Sequence, residues 1–202
     1  MITCERCSQP TCTKILRDID ENVPQPGFIG ARFRQERVLL VGQNPAVPGP
    51  KRADKDRTYT AALRRVRDHP SIENWTKLQA VLLEFVPDWP IQRDYFPLEE
   101  SGLTLPEIAY CNIVRCRTEG NAQPSKNMTS ECADIHFARW LDLLEPRAIV
   151  FIGKWAHDQG SRYAQERQIP YDFMNRDRSL SDVKRMENRK RVATFVRSIV
   201  RK

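Results

Sequence analysis

The stretch Val38-Leu39-Leu40-Val41-Gly42-Gln43-Asn44-Pro45-Ala46-Val47-Pro48-Gly49-Pro50 constrains the chain more than any other. Four apolar residues in a row read as a buried strand. The glycines and prolines behind them force a rigid turn rather than a helix, because proline fixes φ and removes an amide donor. That turn holds two amide side chains, Gln43 and Asn44, at its mouth. In open α/β sheets ligands bind beyond the carboxyl ends of the strands, so chemistry is expected here. An ordinary strand followed by a proline-rich loop would read the same, and the rest of the chain decides between the two.

Three further apolar runs read as strands, at 107–116, 148–153 and 169–174. Helical patterns lie between them. Residues 17–36 carry Pro24, Pro26, Gly27 and Gly30 and read as loop or short helix, and 51–58 is a charged loop. A helix starts near Tyr59. Ser71 is placed to cap the next one, whose apolar face is Leu78, Val81, Leu82 and Phe85, with Pro87 and Pro90 ending it. Residues 91–106 look irregular and 117–129 form a polar loop. A helix over 130–144 carries Ile135, Ala138, Leu141 and Leu144 on one face, and another spans 154–165. The last, over 180–200, places Val192, Phe195, Val196, Ile199 and Val200 on one stripe, and its basic residues read first as a solvated face. Strands alternating with helices predict an α/β fold. The expected architecture is a three-layer α/β/α sandwich around a central, mainly parallel four-stranded sheet, in a single domain of 202 residues.

The formal net charge is +7, which favours a polyanionic partner, nucleic acid being the commonest. No apolar run reaches the length of a membrane span, and the first residues carry no apolar leader segment, so a cytoplasmic protein without a membrane partner is expected.

Six cysteines, at 4, 7, 12, 111, 116 and 132, would stay reduced in that compartment. Cys4 and Cys7 form a tight pair. Cys116 ends the second strand and Cys132 follows after fifteen intervening residues. A zinc ribbon prefers two tight pairs, whereas a four-thiolate 4Fe–4S cluster tolerates scattered ligands. Spacing alone leaves cluster, zinc and unligated thiols all open. Cys12 is a substitute ligand, and Cys111, inside a strand, reads as core. Asn112 stands in an apolar strand, where its amide must be hydrogen-bonded or read a ligand edge.

Taken together, Gly42-Gln43-Asn44-Pro45, Asn112-Ile113-Val114-Arg115-Cys116-Arg117 and four of the cysteines resemble the uracil-DNA glycosylase superfamily, in particular its iron–sulfur branch (family 4-like). Residues 146–153, Pro-Arg-Ala-Ile-Val-Phe-Ile-Gly, are similar to that family's third-strand motif. The resemblance implies a 4Fe–4S cluster held by Cys4, Cys7, Cys116 and Cys132, with zinc the minor alternative. It implies that Asn44 orients an attacking water and that Gln43 and the Gly42 backbone lie against the base or its water. Asn112 would read the base edge, and Tyr59 would stack on the base. DNA is the implied partner of a monomer. The implied fold is the glycosylase's, over residues 1–202, with an N-terminal cluster-binding segment.

Two departures from the family pattern stand out. The second motif, usually His-Pro-Ser, is absent near the C-terminus, and 175–181 (Asn-Arg-Asp-Arg-Ser-Leu-Ser) is only loosely similar to a variant of it. Asn175 is the candidate for the missing role, with Arg176 and Arg178 on phosphate and Ser179 in the same loop. His69-Pro70-Ser71 spells the motif but precedes the second strand and reads as coincidence. In addition, Ala46 stands where classical uracil enzymes place a tyrosine that excludes a 5-methyl group. The expected activity is therefore a monofunctional DNA glycosylase acting on uracil or a 5-modified pyrimidine, in base-excision repair of DNA damage or in antiviral defence against modified phage DNA. The alternative is a non-catalytic nucleic-acid-binding protein that keeps the fold.

Overall fold

The structure, a computed structural model, describes residues 23–177 and 179–200. Cys4, Cys7, Cys12 and Arg178 lie outside the described residues. In chain order the elements are β1 (Phe28–Ile29), α1 (Phe33–Glu36), β2 (Val38–Gly42), α2 (Ala53–Asp68), α3 (Ile72–Phe85), α4 (Pro90–Tyr95) and α5 (Leu98–Ser101). There follow β3 (Ile108–Asn112), α6 (Lys126–Cys132), a π-helical turn (Ala133–Phe137), α7 (Ala138–Leu144), β4 (Ala148–Ile152), α8 (Lys154–Glu166), β5 (Tyr171–Met174) and α9 (Asp182–Val200).

The strands form one sheet in the order β1-β3-β2-β4-β5. β2 pairs in parallel with both β3 and β4, and β4 with β5, while β1 runs antiparallel to β3 at the edge. The α/β sandwich is thus as expected, but the sheet has five strands, not four. The extra strand is the residue pair Phe28–Ile29, too short for any periodicity to betray it.

Each of β2, β3 and β4 is buried along its whole length, and successive side chains go to opposite faces. Val38, Leu40, Ile108, Tyr110, Val150 and Ile152 pack with α2, α3 and α9. Leu39, Val41, Ala109, Cys111, Ile149 and Phe151 pack with α6, α7 and α8. This two-sided burial is what a parallel sheet requires, and each such Val, Leu or Ile contributes about 1.5–3 kcal/mol.

The local signals explain most helix ends. Ser71 Oγ accepts from the amide of Asn74 at 3.1 Å, capping α3, so His69-Pro70-Ser71 is a helix boundary. The charged stretch after Pro50 is helical rather than looped, since α2 begins at Ala53. Residues read as irregular between 91 and 106 hold α4 and α5. β3 ends at Asn112, so Cys116 lies in the loop beyond the strand, not at its end. Part of the basic run of α9 is tied to the fold: Arg189 binds Glu100 and the Phe96 carbonyl, Arg191 binds Asp172, and Arg197 binds the Glu100 carbonyl, while Lys184, Arg185 and Lys190 are exposed, as a solvated face would be.

Candidate active site

The parallel register sets Gly42 directly beside Asn112 at the carboxyl ends of β2 and β3. The pairing continues for two residues, with the amides of Ile113 and Val114 donating to the carbonyls of Gly42 and Gln43 at 3.0 and 2.9 Å. The chain after each strand then turns aside and opens a cavity of about 490 Å³. Its walls include Gln43, Asn44, Ala46, Tyr59, Asn112 and Arg176, six of the residues singled out in the sequence.

Asn112 is 6% exposed, and its Oδ1 accepts from the Tyr110 hydroxyl at 2.8 Å. Tyr110 precedes it by two residues, hence on the same face of the strand. The Tyr110 ring is held by Phe96 and Trp89, at centroid distances of 5.2 and 5.9 Å. With Oδ1 so engaged, the amide keeps its Nδ2 donors and a second oxygen lone pair for a ligand. Gly42 does not read a ligand through any side chain: it makes room. A Cβ there would lie 2.4 Å from Asn112 Oδ1 and 2.5 Å from the Tyr110 hydroxyl.

Asn44 is fixed from the other side. Its Nδ2 donates to Thr118 Oγ1 and to the Pro45 carbonyl, each at 3.2 Å. Thr118 Oγ1 in turn donates to the Ala122 carbonyl at 2.6 Å, so the hydroxyl proton is committed away from Asn44. The amide nitrogen of Asn44 therefore anchors the side chain, and Oδ1 remains as an acceptor. The same turn is stitched to the 118–122 loop by Asn121, whose Oδ1 accepts from the Val47 amide at 2.6 Å. Thr118 and Asn121 were not singled out in the sequence. Both sit in a polar loop whose composition gives no sign that it pairs with a segment more than seventy residues away.

Tyr59 projects from α2 and is fully buried at the cavity wall. Burial pushes its phenol, and that of Tyr110, well above the ordinary phenol range, with Arg117 opposing the rise at Tyr59 and Arg176 at Tyr110. Both rings thus stay neutral at neutral pH. Arg117 forms an ion pair with Asp56, and both line the cavity with Trp89.

From the C-terminal loop, Arg176 reaches the cavity. Its guanidinium lies 5.3 Å from the centroid of the Tyr95 ring, and its side chain passes Gly153, where a Cβ would approach Arg176 Cδ to 3.3 Å. Gly153 also adopts φ +97°, a conformation that suits glycine. Asn175 is placed differently. Its Oδ1 accepts from the Asp177 amide at 3.0 Å, and its carbonyl accepts from Asn188 Nδ2 at 3.3 Å, so it closes a turn outside the cavity wall. Ser179 is exposed and bonds through its amide and hydroxyl to Asp177 Oδ1, at 2.9 and 2.7 Å. None of the three histidines lines the cavity.

Cys116 and Cys132 are buried, at 1% and 3% exposure, on the other side of the sheet. Cys132 is the last residue of α6, directly before the π-turn, a feature often found at functional sites. Cys111 is core, as expected, and burial pushes its thiol up to about 12. Among the described residues no three metal-ligating side chains converge. Yet the surroundings of Cys116 and Cys132 suit an anionic, acceptor-rich group. Among the described residues, buried nitrogens without a hydrogen-bond partner occur at Arg115 (Nε and Nη2), next to Cys116 beyond β3, and at His136 in the π-turn and Trp140 in α7, which follow Cys132.

A mostly parallel α/β sheet with an amide-walled cavity at the carboxyl ends of its central strands belongs to the open-sheet class, which carries its ligand sites in that position. Residues 31–195 match the family model described as the uracil DNA glycosylase superfamily. The chain belongs to that superfamily, whose members act on DNA as glycosylases. Comparison with curated proteins gives no match. No helix among the described residues is long and apolar enough to cross a membrane.

Proposed function

We propose that the protein is a monofunctional DNA glycosylase that hydrolyses the N-glycosidic bond of a flipped-out uracil or 5-modified pyrimidine, leaving an abasic site. One observation carries this reading: Asn44 and Asn112 face one cavity, each anchored by a specific hydrogen bond that leaves a defined polar atom for a ligand. A base inside a duplex is out of reach, so it must be extruded into such a pocket and read by stacking and amide hydrogen bonds.

In the reaction the bond from C1′ to the base nitrogen breaks, and its electron pair leaves with the base. Positive charge develops on the sugar and negative charge on the base. A water held by Asn44 Oδ1 adds to C1′, and the proton it loses balances the departing base anion. Asn112 donates from Nδ2 to the base edge and Tyr59 stacks on its face. Fixed cationic charge would take the place of the missing histidine: Arg176 lines the cavity and makes no hydrogen bond within the described residues, which leaves its guanidinium available to the charge that develops on the base. Arg178 and Ser179, next in that loop, would face the phosphates.

The cavity volume lies in the range, roughly 300–1,000 Å³, that accepts ligands larger than a bare pyrimidine. Ala46 in the wall supports the same conclusion, so a base bearing a 5-substituent fits, and with it a part in defence against phage DNA as well as in repair. Cys4, Cys7, Cys116 and Cys132 would hold a 4Fe–4S cluster in a monomeric, cytoplasmic protein, the cluster stabilising the fold behind β3.

The test is a panel of duplex and single-stranded DNAs carrying uracil or 5-substituted pyrimidines, scored for alkali-labile abasic sites. The wild-type protein yields product on at least one of them and Asn44→Ala yields it at least about 10²-fold more slowly. DNA binding without abasic sites on any base would make this a binding protein that has kept the fold.

A further inference from the structure

Arg115 is the most deeply buried cation described, at 1% exposure. It has no carboxylate partner among the described residues. Nη1 donates to the carbonyls of Gln25, at 3.1 Å, and Pro26, while Nε and Nη2 have no partner. The guanidinium lies 4.9 Å from the centroid of the Trp140 ring, whose own Nε1 is also without a partner. Arg117, two residues on, makes the contrast: it is nearly as buried and is paired with Asp56.

An arginine does not shed its proton, so burying one requires an anion or a full set of acceptors. Among the described residues, the titratable groups that act most on the Arg115 charge are Cys111, Cys132, Tyr59 and Cys116. Three of the four are thiols, and neutral thiols offer neither charge nor strong acceptors. Two of those thiols, Cys116 and Cys132, belong to the proposed ligand set. The Gln25 amide donates to the Arg115 carbonyl at 2.9 Å, so the residue is tied to the 23–27 segment through its backbone as well as its side chain.

We propose that Arg115, braced on Trp140, is the counter-charge of an iron–sulfur cluster bound at Cys116 and Cys132 and sets that cluster's reduction potential and retention. The inference rests on the cluster reading given above. A four-thiolate cluster carries net negative charge and presents sulfur acceptors, which is what the unpartnered guanidinium nitrogens lack. Reduction adds one electron and deepens that charge. A fixed cation beside the cluster therefore favours the reduced form and raises the potential.

The experiment compares wild-type protein, Arg115→Lys, Arg115→Gln and Arg115→Met, purified anaerobically. It measures iron and sulfide content, visible absorbance, unfolding temperature and the one-electron potential by redox titration. Wild-type protein should contain the cluster. The two neutral variants should shift the reduction equilibrium at least tenfold toward the oxidised form, about 59 mV for one electron, with Arg115→Lys closer to wild type. Neutral variants that fold but lose iron faster than Arg115→Lys would support the proposal equally. Potentials and iron retention unchanged in all folded variants would overturn it while leaving the cluster in place. Equal loss of folding in the lysine and the neutral variants would also overturn it, since shape and not charge would then be the requirement. Wild-type protein without iron or sulfide would instead refute the cluster reading itself.

Discussion

The Tyr110 hydroxyl donates to Asn112 Oδ1 at 2.8 Å, and the pair crosses Gly42 so closely that one added methyl would collide with both atoms. This relationship fixes which way the Asn112 amide, proposed to read the base, points. Tyr110→Phe deletes the donor and leaves the ring in place against Phe96 and Trp89. It should cost about 1–3 kcal/mol of stability and reduce kcat/KM roughly tenfold, as expected for a buried hydrogen bond. Added to Asn112→Ala, the same change should have little further effect on kcat/KM, because the two act as a unit. Steady-state kinetics on the four-protein cycle decide it. Additive losses would separate Tyr110 from base reading.

At the opposite wall, Asn44 is steered through Thr118. Asn44→Ala should lower kcat by about 10²–10⁴, the usual range for a group that handles the proton or water of a reaction, with DNA affinity retained. Thr118→Val removes only the anchor, so kcat should fall by less, about tenfold, because Asn44 still reaches its position part of the time. Single-turnover rates with binding measured separately distinguish loss of chemistry from loss of binding.

Much of this site was readable from residue types, and the unread part has physical reasons. The apolar runs of β2 and β4 and the Gly-Gln-Asn-Pro turn carry strong local signals, and the cavity stands where they placed it. The Tyr110–Asn112 pair was within reach, since an i, i+2 spacing on a strand puts both on one face. Thr118 and Asn121 were not, because their partners are long-range and a polar loop has no periodicity. The two-residue β1 pairs through backbone groups alone. Asn175 and Arg176 show the limit of motif matching: adjacent residues of one loop, of which Arg176 lines the cavity while Asn175 closes a turn.

The groups proposed to act in catalysis include no histidine, carboxylate or thiol; they are amides, a guanidinium and the Tyr59 phenol, which burial holds above the ordinary phenol range. The rate of base release should therefore be flat between about pH 6 and 9, without the histidine limb of a bell-shaped profile. Stability should respond in acid instead. At Glu100, burial is the largest single influence and raises the carboxyl pKa, but the Arg189 hydrogen bonding (3.0 Å to Oε2), a backbone hydrogen bond and the Arg189 charge together hold the value below the usual glutamate range. A depressed folded value means that this stabilisation is present above the unfolded pKa, near 4.3, and is lost as pH falls through the folded one. Glu100→Gln should thus flatten the acid limb of an unfolding-temperature profile below about pH 4.5 and leave the neutral rate unchanged.

Ala46 offers the sharpest test of substrate choice, because it faces the cavity without a side chain long enough to reach across it. Ala46→Tyr would place an aromatic ring where a 5-substituent has to sit. Release of uracil should survive within about threefold, while release of any 5-substituted pyrimidine should fall by at least 10²-fold, since overpacking a formed pocket costs about 1–3 kcal/mol or more. The comparison is internal to one protein, so a general loss of folding or DNA binding lowers both rates together and is recognised as such. Parallel loss on both bases would mean that Ala46 does not select between them. Unchanged release of the 5-substituted base would mean that its substituent leaves the cavity by another side, past Trp89 and Phe85.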